Sequence, residues 1–347
     1  MGVTACVPPR VDAGVKAGLL ELVDHAVEAG WTTARACSVL ELDGRRCRRW
    51  RRRREAGRLD DAAAGGVALH AITPSERHAI LELFERWGEI DGGYRKLAHR
   101  GSYEGLVWVS PSTLYRVLAA QGLVLPARPQ RSPAVARPMP DWVSWERHQI
   151  WIYDITHFPR AGRVAYAILD VVTRKWLATL VTAEETATQV EVVFCDALDA
   201  EGLWPAVEAR QADDGDEEPI LLALSDNGPQ MRAGTTREFL ALCCIASRFG
   251  RPGTPTDQAW IETLFGHVKT EWPHLEKITD PGELRADLDV VRTDYNTRRL
   301  HASLGYVTPD DEHQGRGERI RQARRDGLNQ ARLDRLAYHR NNNQNQP

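Results

Sequence analysis

The 347 residues, 42% of them hydrophobic, are enough for two or three domains with real cores, and no apolar run approaches the roughly 18–20 residues of a membrane span. The six cysteines form no C-x-x-C pair, which points away from a cysteine zinc site or a disulfide framework. A net charge of −3 would argue against a polyanionic partner if it were spread evenly, but it is segregated: eight arginines crowd residues 45–54, and acid gathers at Asp213-Asp-Gly-Asp-Glu-Glu218.

The opening residues lack a secretory-signal pattern, and Cys6 breaks a myristoylation motif. Lys16 to Ala29 places Leu19, Leu20, Val23, Ala26 and Val27 at helical spacing, and Gly30 stops the helix. Thr32 or Thr33 caps a second helix through Leu40, and a turn at 41–44 leads into an arginine-rich third. This is the pattern of a helix-turn-helix DNA-binding domain over residues 1–54. Arg45, Arg46, Arg48, Arg49, Arg51, Arg52 and Arg53 are its expected DNA contacts. Trp50 within that run either anchors the helix or touches DNA.

Residues 55–72 read as a linker. Thr73-Pro-Ser-Glu76 is a capping-box start to a helix over 76–87, Gly93 opens another, and Ser110-Pro-Ser-Thr starts a third. Residues 73–124 thus form a second unit similar to a helix-turn-helix. Residues 125–144 are a Pro/Arg-rich linker, with five prolines and three arginines in 125–140.

The strand-like runs Gln149–Phe158, Arg163–Asp170 and Trp176–Val181 form a meander, the first two joined by Pro159-Arg-Ala-Gly162. A further strand, Pro219–Asp226, ends in Asp-Asn-Gly. An aspartate at such a strand end points into the ligand crevice of an α/β sheet. Glu262 lies in a helix beginning near Thr256 or Asp257, with 35 residues between it and Asp226. Lys269, seven residues further, shares its helix face. Residues 311–347 are a basic helical tail whose Asn/Gln-rich end, from Asn341, is expected to be disordered.

Five groups of residues carry a resemblance across roughly 145–310. They are Trp151…Asp154-Ile-Thr156, Leu169-Asp170…Arg174, Ser225-Asp226-Asn227-Gly228, Glu262…Lys269, and Tyr295-Asn296…Arg299…His301…Leu304-Gly305-Tyr306…Thr308-Pro309. In this order and spacing they resemble the DDE integrase core of bacterial insertion-sequence transposases and retroviral integrases. The chain departs from retroviral integrases in lacking their N-terminal His/Cys zinc site. Gln258 stands where an Asn is common, and Trp260 is bulky for its place.

The resemblance implies a multidomain protein, with helix-turn-helix domains followed by an α/β ribonuclease-H-like core of mixed sheet and flanking helices. It implies that Asp154, Asp226 and Glu262 are catalytic and bind two Mg²⁺ (or Mn²⁺) ions, with Asp154 shared and the other two holding one each. The reaction would be nicking of element ends, then attack of the freed 3′-hydroxyl on target DNA. Lys269, Arg299 and His301 would contact DNA, although Arg299 and His301 also suit packing or capping. Asp170 is read as structural. The expected partners are double-stranded DNA, at terminal repeats and target, and further copies of the chain on paired ends, with no membrane. The expected location is the bacterial cytoplasm, at the nucleoid. A DNA-binding regulator without activity and a nuclease that cuts without joining are the competing readings.

Overall fold

A computed structural model describes residues 7–8, 10–61, 68–123, 138–212, 218–251 and 258–344. The acidic run at 213–217, most of the Pro/Arg-rich linker and the expected caps Thr256 and Asp257 lie outside them. The chain divides into two compact units, residues 1–71 and 72–347, taken separately here.

In the first unit, α1 (Ala13–Glu28), α2 (Thr33–Val39) and α3 (Gly44–Glu55) each begin where a short polar side chain caps free backbone N–H groups. Asp12 accepts from the Val15 N–H at 2.8 Å, Thr32 from Arg35 at 3.2 Å, and Asp43 from Arg45 and Arg46 at 2.9 and 3.0 Å. Leu20, Val23, Ala36, Cys37, Leu42, Cys47 and Trp50 close the core. Trp50 is therefore an anchor, buried among helix side chains.

The second unit opens with α4 (Pro74–Asp91), α5 (Tyr94–Tyr103) and α6 (Pro111–Ala120). The capping box forms as expected: Thr73 Oγ1 accepts from the Glu76 N–H, and Glu76 accepts from the Thr73 N–H at 2.8 Å. Ile80, Leu83, Trp87, Leu97, Leu114 and Leu118 pack inside this group.

A mixed five-stranded sheet follows, made of β1 (Ile150–Phe158), β2 (Arg163–Asp170), β3 (Trp176–Thr182), β4 (Leu221–Ser225) and β5 (Ile245–Phe249). Its order is β3-β2-β1-β4-β5. The first three strands are the antiparallel meander; β4 runs parallel to β1, and β5 parallel to β4. Helices cover both faces. Ile150, Ile152, Leu222 and Leu224 point to the side of α11 (Ala259–Glu271) and α12 (Pro281–Thr297). Trp151, Tyr153, Leu221 and Ala223 point to the side of α7 (Ala187–Ala200) and α10 (Gly234–Leu242). This two-sided burial explains why these strands read as continuous apolar runs rather than alternating ones. Two short helices, α8 (Trp204–Gln211) and α9 (Pro229–Arg232), complete the connections around β4.

The chain ends in α13 (Pro309–His313) and the 28-residue α14 (Gly317–Gln344). Composition predicted disorder from Asn341, yet the helix continues to Gln344. Several α14 arginines bond within the unit. Arg335 binds Glu76 and donates to the Trp108 carbonyl at 2.7 Å, and Arg324 donates to Ser102 Oγ and to the carbonyls of Gly305 and Tyr306. The Trp108 indole occupies the space a Cβ on Gly327 would need, so the helix seats there only because residue 327 has no side chain.

Candidate functional site

Ile150 faces Leu222 and Ile152 faces Leu224 in the parallel β1–β4 ladder. Asp154 lies two residues beyond Ile152, and Asp226 two beyond Leu224. The register therefore carries both aspartates to the same end of neighbouring strands, with the parity of the face covered by α11. Glu262 sits in the first turn of that helix, where an acid also suits the N-terminal end of the helix dipole.

The electrostatics agree with this convergence. Burial pushes the Asp154 carboxyl up to about 6, and the charges of Asp226 and Glu262 push the same way, against the lowering effect of the Ile155 N–H. Each aspartate binds one carboxylate oxygen to a following backbone N–H: Ile155 to Asp154 Oδ1 at 2.8 Å, and Gly228 to Asp226 Oδ1 at 2.9 Å. Those bonds fix the carboxylate orientations and leave each Oδ2 without a protein donor among the described residues. The Gln258 side chain, one turn before Glu262, is buried with neither amide atom partnered among those residues. Hard oxygen donors that repel one another are the kind that a divalent cation such as Mg²⁺ or Mn²⁺ would draw together, although the ligand atoms of Asp154, Asp226 and Glu262 do not all lie within 4.8 Å of one another.

Lys269, on the same helix, donates to the His157 carbonyl at 3.3 Å, lies 3.4 Å from Glu276 and sits over the Phe158 ring. Arg299 and His301 are each only 9% exposed. The Arg299 guanidinium grips both Glu271 oxygens, at 3.0 and 2.9 Å, and lies 3.0 Å from His301 Nε2. Burial and the Arg299 charge push the His301 pKa well down. Both side chains are thus engaged within the fold. Asn296 is structural in the same sense, its amide bridging the Trp176 N–H and carbonyl at 2.9 Å each. Asp170 is buried and accepts from the backbone N–H groups of His148, Val172 and Thr173.

The arginines of α3 divide into two groups. Arg51 and Arg54 bind Asp24, Arg53 binds Asp61, and Arg46 donates to the carbonyls of Val7 and Pro8. Arg46, Arg51 and Arg53, expected as DNA contacts, are thus held by their own unit, because acids and carbonyls lie on that side of the helix. Arg45, Arg48, Arg49 and Arg52 recur at helical spacing, are exposed, and line one open surface with Arg58 and Asp60, which Arg53 also reaches.

Residues 244–309, which include Glu262, match the family model described as integrase core domain. The chain is 24% identical over 167 residues to the transposase for insertion sequence element IS904 of Lactococcus lactis subsp. lactis (strain IL1403), covering 47% of this chain and 60% of that protein. It is 25% identical over 171 residues to the putative transposase InsK for insertion sequence element IS150 of Escherichia coli (strain K12), covering 49% and 56%. The chain thus spans somewhat over half the length of the curated relatives it matches. A crystal structure of the catalytic core domain of BIV integrase aligns with 20% identity and a TM-score of 0.34, covering 48% of this chain and 95% of that one.

Proposed function

We propose that this chain, which carries an integrase core and resembles insertion-sequence transposases, is a DNA transposase that cuts its element's ends and joins them to target DNA. The approach of Asp154, Asp226 and Glu262 carries the reading: β1, the end of β4 and α11 bring three carboxylates to one end of the sheet, near enough that the charges of Asp226 and Glu262 raise the Asp154 pKa. Divalent ions held there supply charge neutralisation at the phosphodiester. The protein's own task is positioning, since phosphoryl transfer asks little covalent chemistry of it. The Ile155 and Gly228 N–H groups hold the aspartates in fixed orientation, while Glu262 is set by the packing of α11.

On this reading the sheet order and flanking helices are a ribonuclease-H-like core. The α1–α3 unit is a helix-turn-helix reader of the terminal repeats, and the Arg45, Arg48, Arg49 and Arg52 face carries its phosphate contacts. The α4–α6 group is a second reader, and Lys269 meets DNA by exchanging its contact with the His157 carbonyl for a phosphate. Joining two ends requires assembly of more than one copy. A protein acting on chromosomal DNA works at the nucleoid. Among the described residues no helix is long and apolar enough to cross a membrane.

The test is a cleavage and joining assay on labelled duplexes taken from the DNA flanking the gene, in Mg²⁺ or Mn²⁺. Asp154→Asn, Asp226→Asn and Glu262→Gln should each abolish both steps and leave DNA affinity within about twofold. Normal strand transfer by any one variant would remove that residue from the site.

A further inference from the structure

A second cluster lies elsewhere in the same unit, and nothing in the transposase reading uses it. His148 precedes β1, Glu201 caps the end of α7, and His313 ends α13. One ligand atom from each falls within 4.8 Å of the other two. We infer that these three residues form a divalent-metal site, distinct from the carboxylate triad, that takes Zn²⁺ and braces the sheet.

The distances suit such an ion. Zinc bound tetrahedrally by imidazole nitrogen and carboxylate oxygen at about 2.0–2.2 Å holds its ligand atoms roughly 3.3–3.5 Å apart. His148 Nε2 lies 3.7 Å, and His313 Nε2 2.8 Å, from Glu201 Oε2, on either side of that value. Two imidazoles and one carboxylate are a zinc ligand set that leaves the fourth position to water. The site is sheltered but reachable: the side chains of His148, Glu201 and His313 are 15%, 9% and 3% exposed.

The surroundings are built as an outer ligand shell. Thr173 Oγ1 lies 2.9 Å from His313 Nδ1, where it fixes the ring and, with a metal on Nε2, would accept the Nδ1–H. Lys175 takes Glu201 Oε1 at 2.9 Å and leaves Oε2 for the site. His148 Nδ1 is buried without a hydrogen-bond partner, 3.9 Å from Asp170 Oδ2. A metal on Nε2 would draw that N–H towards Asp170 and complete a carboxylate–histidine–metal arrangement. The backbone adds a fourth observation. His148 has φ +67, a conformation uncommon for a residue with a side chain, held by its own N–H bonding to Asp170 at 2.7 Å.

Asp154 lies six residues beyond His148, about 20 Å along an extended strand, so this ion would be no part of the reaction centre. It would instead tie β1, α7 and α13 together. Sequence reading sought zinc among the cysteines and could not find this site: Glu201 and His313 are 112 positions apart and share no motif.

The test uses the full chain, stripped with a chelator, in saturating Mg²⁺ and with Asp226→Asn to silence the triad. Co²⁺ should bind one equivalent with tetrahedral visible bands lacking thiolate charge transfer, and Zn²⁺ should displace it. Zn²⁺ at about 100 times its Kd should raise the Tm by roughly 5 °C. His148→Ala and Glu201→Gln should each weaken binding at least about 100-fold and remove that rise, while circular dichroism confirms that both fold. Undiminished binding in both variants, a thiolate spectrum, or no uptake of micromolar Zn²⁺ by the parent protein would overturn the site and leave a hydrogen-bonded His–Glu–Lys cluster. No outcome bears on DNA cleavage, so the two proposals stand or fall apart.

Discussion

Two helices of this molecule are dense in arginine, and they use it in opposite ways. On α3, Arg46, Arg51, Arg53 and Arg54 find Asp24, Asp61 and backbone carbonyls, while Arg45, Arg48, Arg49 and Arg52 make an open cationic face. On α14, Arg321 binds Glu312, Arg324 binds two carbonyls and a serine, and Arg335 binds Glu76 and the Trp108 carbonyl. The planar guanidinium serves both purposes, since its fork fits phosphate oxygens and carbonyl or carboxylate oxygens alike. What separates the helices is whether the protein has already supplied the acceptors.

That contrast can be broken by experiment. The largest effect is expected on α3: changing Arg45, Arg48, Arg49 and Arg52 together to Ala should cost about 10²–10³-fold in DNA affinity and flatten the salt dependence by up to about four ions. Fluorescence anisotropy across a salt series measures both, and an unchanged slope would make α3 a bystander. Arg324→Ala should instead leave the slope alone and lower the stability of the second unit by about 1–3 kcal/mol in urea unfolding, because it strands the part-buried carbonyls of Gly305 and Tyr306.

Asp154 is the opposite of the α14 arginines, a largely buried carboxyl whose burial outweighs the charge of nearby His157. Its pKa in the folded protein is near 6, against 3.8 for the ordinary group, so the metal-free protein loses stability as pH rises through that window. Asp154→Asn should therefore raise the metal-free Tm at pH 8, by the equivalent of about 1–2 kcal/mol, with the gain shrinking towards pH 4. A loss at pH 8 would mean that a cation of the protein already balances the site. The smallest effect is expected from Asp24→Ala, which frees Arg51 and Arg54: stability should fall by about 0–1 kcal/mol and non-specific DNA affinity should rise a fewfold. Unchanged affinity would show that these two arginines point away from bound DNA.

What the sequence disclosed follows the range of the interactions. Caps such as Thr73 with Glu76 depend on residues three apart, and the strands bearing Asp154 and Asp226 show in their apolar runs. The roles of the arginines did not show, because a guanidinium reads the same whether its acceptor is Glu76, 259 positions away, or a phosphate outside the protein. For the same reason the bond from Arg299 to Glu271, 28 positions away, has no signature in the sequence. The shared register of Asp154 and Asp226 was equally hidden, since strand pairing is set by packing across the sheet.

The reach of Arg335 also sets an order of events during synthesis. The α1–α3 unit closes its core with residues from within the first 71, so it can fold while most of the chain has yet to be made. The α4–α6 group must wait: its bonds to Arg324 and Arg335 cannot form until α14 has left the ribosome, 222 residues after Ser102 and 259 after Glu76. On the proposed function, the nascent chain would thus be a DNA reader first, and would acquire its final brace last.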